Sequence, residues 1–214
     1  MQAGETMAYI RGAVSIEAVL AIEDLILDLP FKGDRDYLHS TDIFPALMEL
    51  VRGRFGPQAQ VESLTLRRPL RHGIQVLFEP TAVSSGSFRV RHHSECCYGW
   101  LVETDRPVTR RTPLDLPVVS AVAVSGQGSA RILQPLQGSE ALDVVVGLMK
   151  LVACQVDPRH WWLSQLNLDA PLTESFPIEV RILQNLGGQF LVLEILQASM
   201  TIGSARCMLE HKAS

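Results

Sequence analysis

The feature of this sequence that most constrains its fold is an internal repeat with a period of about a hundred residues. Residues 41–51 read TDIFPALMELV and residues 142–152 read LDVVVGLMKLV, at an offset of 101 (142 − 41). A second match, L-x-L-x-x-P-L, begins at Leu64 and again at Leu166, at an offset of 102 (166 − 64). Two matches in the same order at nearly the same offset favour a duplicated small domain over a solenoid, whose period would be shorter.

Both halves of the chain have the same order of apolar patterns. Each predicts a strand, one long amphipathic helix and then a run of alternating strands. In the first half the segments are 18–29, the helix 40–54, and the strands 61–70, 73–79 and 87–103. In the second half they are 118–133 with a turn at 126–128, the helix 139–156 with Ser139 as N-cap, and the strands 161–168, 178–183 and 189–210, broken near Gly203. The GG pair at 187–188 predicts a hairpin turn. We therefore expect two units, 1–108 and 118–214, joined by a linker at 109–117.

This layout resembles the hot-dog fold, in which an antiparallel sheet wraps around one helix, and two copies resemble a double hot dog. The resemblance implies an α+β fold with two central helices, each wrapped by antiparallel sheet and related by a pseudo-twofold axis. A single unit exposes a sheet edge, so hot-dog units usually pair, and a tandem copy supplies its own partner. The start of one helix would then face the seam between the halves.

The start of the second repeated helix resembles a motif of polyketide synthase dehydratases, L-L-D-x-x-x-Q or -H. The segment ALDVVVG places Asp143 at the acid and Gly147 at the last position. Residues 43–50, IFPALMEL, resemble the L-P-G-x-x-x-x-E helix start of the same family. The nearest histidine, His39, lies six residues before Pro45, closer than the catalytic histidine of the family.

The resemblance implies dehydration of a β-hydroxyacyl group carried by acyl carrier protein or coenzyme A, in fatty-acid or polyketide-type metabolism. His39 would remove the α-proton, Asp143 would protonate the departing hydroxyl, and main-chain N–H groups at a helix start would hold the thioester oxygen. The expected substrate-binding residues are Tyr37, Ser40, Pro45 and Gly147.

Two alternatives remain open from the sequence. The segment DYLH at 36–39 resembles the D-x-x-G-H start of small hot-dog thioesterases, in which Asp42 or Asp36 would activate water beside His39. A hot-dog protein that binds a carrier or an apolar ligand without catalysis is the third reading. Asp42 and Asp143 also suit a structural role, since a carboxylate in the first turn of a helix interacts favourably with the helix dipole.

The composition restricts the class of protein and its partners. The 214 residues include 47% hydrophobic and 20% charged residues, and a net charge of −4 argues against nucleic-acid binding. No segment predicts a membrane span or a secretory signal, so we expect a cytoplasmic protein, either a monomer or a homodimer. No phosphate loop, dinucleotide motif or metal-ligand spacing occurs, so neither a cofactor nor a metal is expected.

A few smaller features also carry expectations. The four cysteines are expected to be reduced and mostly buried. The adjacent pair His92 and His93 is placed on a strand, which would send the two rings to opposite faces. The basic cluster at 67–72, with Arg67, Arg68 and Arg71, is either a solvated strand end or a site for the phosphates of a carrier.

Overall fold

The computed structural model describes residues 25–113 and 123–210. The first part of each expected opening strand, 18–24 and 118–122, and the second part of the expected linker, 114–117, lie outside the described residues. Within the described ranges two helices and thirteen strands are present. They confirm an α+β chain built on antiparallel pairing.

The two repeated segments are helices of equal length, α1 (Ser40–Phe55) and α2 (Ala141–Val156). Each packs one apolar stripe against the sheet, with Ile43, Leu47 and Val51 in α1 fully buried at helical spacing. The expected N-cap Ser139 is wrong by one residue, since Glu140 is the N-cap with extended backbone at φ −78° and ψ 156°. Ser139 instead donates its backbone N–H to the Leu136 carbonyl, which closes a turn before the helix.

The strands lie in one large sheet and one small one. The first half supplies β1 (Leu25–Leu27), β2 (Phe31–Lys32), β3 (Gln60–Leu66), β4 (His72–Leu77), β5 (Gly86–His92), β6 (Glu95–Pro107) and β7 (Arg111–Thr112). The second half supplies β8 (Val124–Gly126), β9 (Ser129–Ile132), β10 (Trp161–Leu168), β11 (Ile178–Leu186), β12 (Phe190–Gln197) and β13 (Met200–Leu209). The eleven-stranded sheet has the order β1-β4-β6-β5-β3-β10-β13-β12-β11-β9-β8. The short strands β2 and β7 pair in parallel and tie the start of the expected linker to the first half.

The two halves meet where β3 pairs antiparallel with β10. Leu64 lies opposite Leu166, and these are the residues that begin the L-x-L-x-x-P-L repeat. The seam therefore joins equivalent strands of the two copies, and it makes one continuous sheet from two units. This pairing covers the sheet edge that either unit alone would expose.

The strand order differs between the halves, counted outward from the seam. In the second half the last strand, β13, is next to β10. In the first half β5 is next to β3, and β6, its last strand in the large sheet, lies one place further out. The halves thus share a seam strand and a central helix but differ in the order of the hairpin that follows. The predicted pseudo-twofold relation is not confirmed, because the strand order differs between the halves.

Two predicted long strands are hairpins instead. Residues 87–103 fold into β5 and β6, which turn at 93–94, and 189–210 into β12 and β13, which turn at Ala198 and Ser199. These two residues have positive φ values of 50° and 68°, whereas Gly203, the expected break, lies inside β13 beside a bulge. The pattern missed both turns because neither contains the glycine that usually marks a left-handed backbone.

The turn between β5 and β6 overturns the expectation that His92 and His93 both lie on a strand. His93 has φ 55° and is a turn residue, so its ring lies against that of His92 with centroids 4.2 Å apart. The cysteines are all free, but only Cys207 is buried, while Cys96 and Cys154 are exposed and Cys97 is half-buried. The GG turn between β11 and β12 is confirmed, with φ values of 65° and 70°. Among the described helices none is long and apolar enough to cross a membrane.

Candidate functional site

A small cavity opens where the start of α1 faces the middle of α2 and the start of β10 across the seam. Its volume is about 40 Å³ measured for water-sized groups, enough for several polar atoms. Three neighbouring residues of the first half, Tyr37, His39 and Ser40, line it together. The walls from the second half are mainly Val146, Met149, Lys150, Trp161, Trp162 and Cys207. The cavity thus joins residues more than a hundred positions apart in the chain.

His39 lies in this cavity as the N-cap of α1. The side chain is buried, and Nδ1 lies 2.7 Å from Oγ1 of Thr41 and accepts the Thr41 backbone N–H at 3.4 Å. Histidine is an unusual N-cap, but its Nδ1 supplies the acceptor that the first backbone N–H groups of a helix need. Both hydrogen bonds of the ring use Nδ1, so Nε2 is the nitrogen left for a ligand.

The surroundings of His39 favour its neutral form. The pKa of His39 is lowered from 6.5 to about 3, first by burial and then by the positive charges of Arg35, Lys32 and Lys150. The ring is therefore neutral at physiological pH. An imidazolium formed during a reaction would be unfavourable here unless a negative charge formed beside it.

Tyr37 and His160 form a second pair across the seam. The phenol oxygen of Tyr37 lies 2.7 Å from Nε2 of His160, and the rings meet edge to face with centroids 6.0 Å apart. Burial raises the pKa of Tyr37 and lowers the pKa of His160, so both are neutral and share one proton in the hydrogen bond. The predicted site residue Tyr37 is therefore held in place by the other half of the chain.

Two cations of the cavity wall were not predicted from the sequence. Arg35 reaches the cavity from the loop after β2, and Lys150 reaches it from the middle of α2. Arg35 stands between Asp34 and Asp36, so the sequence reads as an exposed charged loop. For Lys150, the sequence signal that could have indicated a site was a single charged residue inside an otherwise apolar helical segment.

The predicted acids Asp42 and Asp143 have different surroundings. Asp42 pairs with Lys32 at 2.9 Å, and the same Lys32 amine donates to Thr41 Oγ1, the hydroxyl beside His39. Asp143 is half-buried, and within the described residues it makes no ion pair and does not line the cavity. It lies one helical turn before Val146 and two before Lys150, on the α2 face that reaches the cavity.

A larger and more open cavity of about 520 Å³ lies where the start of α2 faces the middle of α1. Its walls include Pro45, Met48 and Glu49 from α1, and Glu140 and Ala141 from the start of α2. At an offset of 101, the three α1 residues are equivalent to Val146, Met149 and Lys150 in the first cavity. The two residues at the start of α2 are equivalent to His39 and Ser40. The predicted binding residue Pro45 therefore lies in the second cavity, and Gly147 lines neither cavity.

The basic cluster lies beside the first cavity, since Pro69, which stands between its arginines, is part of the cavity wall. Arg71 pairs with Asp36 at 3.3 Å and with Glu210 at 3.9 Å. Arg68 pairs with the buried carboxylate of Glu103 at 2.6 Å. The side chain of Asp36, an alternative catalytic residue, is 64% exposed and outside the cavity.

No protein-family model and no curated protein matches this chain. Among solved structures, it is similar to a pyran synthase domain from module nine of the sorangicin pathway, at 12% identity and TM-score 0.45, over 89% of this chain and 93% of that one. It is also similar to the 12:0-ACP thioesterase from Umbellularia californica, at 10% identity and TM-score 0.48, over 89% of this chain and 97% of that one. A third is the erythromycin dehydratase, at 12% identity and TM-score 0.42, over 82% of each chain.

These structures include both classes of protein that the sequence resembles, dehydratases and acyl-ACP thioesterases. At such identities and TM-scores the likeness concerns the fold and carries no argument for either activity. The chemistry has to be argued from the residues of this chain. The predicted resemblance to hot-dog proteins is confirmed.

Proposed function

We propose that this protein binds an acyl thioester at the first cavity and eliminates water from a β-hydroxyacyl group. The observation that carries the proposal is the position of His39 at the start of α1, in a cavity shared by both halves. A buried helix start offers N–H groups and positive potential to a thioester oxygen, while a neutral imidazole beside it can exchange a proton. A pseudo-twofold relation of the two units would place one such helix start on each side of the seam.

The elimination assigns one proton to each of two residues. The reaction requires the tautomer in which Nδ1–H of His39 donates to the Thr41 hydroxyl and no longer accepts the Thr41 backbone N–H, because only then can Nε2 accept the α-proton of the substrate. The electrons of the broken C–H bond form the double bond as the β-hydroxyl leaves, and Asp143 supplies the proton that turns it into water. The N–H groups at the start of α1 stabilise the enolate-like transition state, which compensates for the unfavourable imidazolium.

The test is turnover of a β-hydroxybutyryl pantetheine thioester, followed by the absorbance of the enoyl product and by mass spectrometry. We expect loss of elimination in His39→Ala and in Asp143→Asn, with unchanged circular dichroism. The control is Asp169→Asn, because Asp169 is an exposed acid in the turn after β10. Near-normal turnover in both site variants would refute the assignment.

Hydrolysis of the thioester is the second candidate reaction, and one observation favours it. Thr41 and Lys32 connect His39 to Asp42 within the first half, the arrangement that the thioesterase alternative requires. Against it, none of the described residues that line the cavity is an acid able to activate water. Release of free thiol without an enoyl product, lost in Asp42→Asn, would establish hydrolysis instead.

The carrier is proposed to approach along the basic cluster. Arg67, Arg68 and Arg71 are exposed beside Pro69, so a phosphate at the end of a pantetheine arm can meet them while the thioester enters the cavity. Because exposed charges are screened by salt, weakening of carrier binding with rising ionic strength would support this approach. Binding that is independent of salt would contradict it.

A further inference from the structure

We propose that the first cavity selects a ligand with a carboxylate, held by Arg35 and Lys150, so that the substrate is an acyl thioester whose acyl group carries an acid. This inference rests on the proposed function, and it adds the chemical class of the acyl group. It follows from an imbalance of charge in the cavity wall. The cavity is lined by two cations and by no acid among the described residues.

The strongest single observation is the guanidinium of Arg35. Its Nη1 atom is enclosed and has no hydrogen-bond partner, and no acid pairs with Arg35 within the described residues. The Cζ atom of Arg35 lies 5.7 Å from the ring centroid of Tyr37, and the Tyr37 hydroxyl is hydrogen-bonded to His160 of the other half. An enclosed N–H of a charged group without a partner is costly, and a bound carboxylate would remove that cost.

Lys150 supplies the second charge from the opposite wall. It is half-buried on α2, and no acid pairs with it within the described residues. The pKa of Lys150 is lowered, first by burial and then by the charge of Arg35, so the two cations repel each other across the cavity. A ligand anion between them would replace this repulsion by two attractions.

The acids nearest to the cavity are already paired with another residue. Asp36 and Glu210 both lie within ion-pair distance of Arg71 and outside the cavity wall. His39 and His160 also face this region, and both are neutral. Within residues 25–113 and 123–210, no acid therefore forms an ion pair with Arg35 or Lys150.

The apolar walls beside the two cations favour an acyl carboxylate as the ligand. The planar fork of the Arg35 guanidinium can bind a carboxylate through two parallel hydrogen bonds. The walls beside it, Met149, Trp161 and Trp162, are apolar and suit the carbon chain between the acid and the thioester. The phosphate of a pantetheine arm has the exposed arginines of the basic cluster available instead.

The experiment compares two thioesters of N-acetylcysteamine that differ at the chain end, the hemithioester of glutaric acid and the thioester of pentanoic acid. Binding is measured by calorimetry and by the fluorescence of the cavity tryptophans. We expect the glutaryl ligand to bind about tenfold more tightly than the pentanoyl ligand, since one charged hydrogen bond is worth about that factor. Equal affinities in the unmodified protein would overturn the inference.

The variants locate the preference. Arg35→Gln and Lys150→Gln should each reduce glutaryl binding and leave pentanoyl binding unchanged, and Arg35→Lys should restore part of the preference. Arg181→Gln is the control, because Arg181 is an exposed arginine of β11 that lines neither cavity. A preference for glutaryl that survives both Arg35→Gln and Lys150→Gln contradicts the assignment.

The last comparison measures the binding of phosphopantetheine and of pantetheine. It tests whether the anion at Arg35 is the phosphate of the carrier arm or the carboxylate of the acyl group. If Arg35→Gln weakens phosphopantetheine but not glutaryl binding, the anion at Arg35 is the phosphate and the carboxylate assignment is wrong. Turnover of a neutral β-hydroxybutyryl thioester without a carboxylate preference would leave the proposed function standing and refute only this inference. A preference for the carboxylate ligand without elimination would refute the proposed reaction and leave the carboxylate site standing.

Discussion

The starts of α1 and α2 are equivalent positions of the repeat, yet they offer different chemistry. At the start of α1, His39 caps the helix with its own ring and faces Arg35 and Lys150. At the start of α2, Glu140 makes no side-chain cap bond, and its cavity also contains Glu49. Both helix starts therefore face the opposite helix, but among the described residues a neutral proton carrier stands among positive charges at the start of α1 and not at the start of α2.

The largest expected effect is on catalysis and tests whether the two helix starts are functionally unequal. His39→Asn keeps a good N-cap but removes the imidazole, and we expect the elimination rate to fall by about 10²–10⁴-fold. Glu140→Gln, the matched change at the start of α2, should leave the rate within about twofold, as for an ordinary surface substitution. The measurement is kcat/KM for a β-hydroxyacyl thioester.

Thermal unfolding of both variants provides the control, since an Asn cap should keep α1 intact. Equal losses in His39→Asn and Glu140→Gln would mean that both cavities take part in the reaction. That result would remove the functional distinction between the two helix starts.

Glycines in the last strands of the two halves give the next largest effect. A Cβ at Gly203 would lie 2.2 Å from the Asn167 carbonyl oxygen in the seam strand, and a Cβ at Gly99 would lie 2.1 Å from the ring of Phe88. Each change to alanine should cost about 1–3 kcal/mol of unfolding free energy because of overpacking. Urea denaturation measures both.

The two glycines should differ in how they are rescued. Phe88→Leu removes the ring that opposes Gly99, so the double variant should recover part of the loss, whereas the obstacle at Gly203 is backbone that no side-chain change removes. Both alanine variants having unchanged stability would contradict the close approaches in the two strands.

A smaller effect concerns the pH dependence of stability. The pKa of His39 is lowered from 6.5 to about 3 in the folded chain, so the unfolded chain binds more protons between these values. The stabilisation is complete above pH 6.5 and is lost as the pH falls towards 3. At about pH 5.5 this contribution should have fallen by about 1 kcal/mol, and His39→Asn should lack that loss.

The comparison at the start of α2 supplies the control, because Glu140→Gln leaves His39 in place and should retain the loss between about pH 7.5 and about pH 5.5. Urea midpoints at the two pH values give the difference. A loss of the same size in His39→Asn and in the unmodified chain would show that His39 is not the group responsible.

Much of the fold could be predicted from periodicity and the repeat. The spacing of Ile43, Leu47 and Val51 gave α1 within one residue of its observed end, and the L-x-L-x-x-P-L match marked both seam strands. The hairpin turns were missed because Ala198 and Ser199 adopt positive φ without glycine. The strand order of the first half could not be predicted from the sequence. Tertiary pairing decides whether β5 or β6 lies next to the seam.

The site was predicted in part, for a physical reason. Tyr37, His39 and Ser40 are neighbours in sequence and reach the same cavity, so local motif reasoning found them together. Arg35 and Lys150 belong to different halves, and their proximity exists only after the seam has formed. The catalytic role of Asp143 stays a prediction, because its place on α2 brings it towards the cavity without placing it in the wall.

The smallest expected effect is the coupling between Lys32 and Asp42, which has no counterpart at Asp143. Lys32 and Asp42 lie 2.9 Å apart, and each side chain is 19% exposed, so partial exposure limits the gain to about 0.5–1 kcal/mol. A double-mutant cycle with Lys32→Met and Asp42→Asn, measured by urea unfolding, should give that coupling. The same cycle with Lys32→Met and Asp143→Asn should give none, because neutralising Asp143 removes only its interaction with the α2 dipole. Equal coupling in both cycles would mean that Lys32 acts on both helix starts, and the ion pair could then no longer explain how the surroundings of His39 differ from those of Glu140.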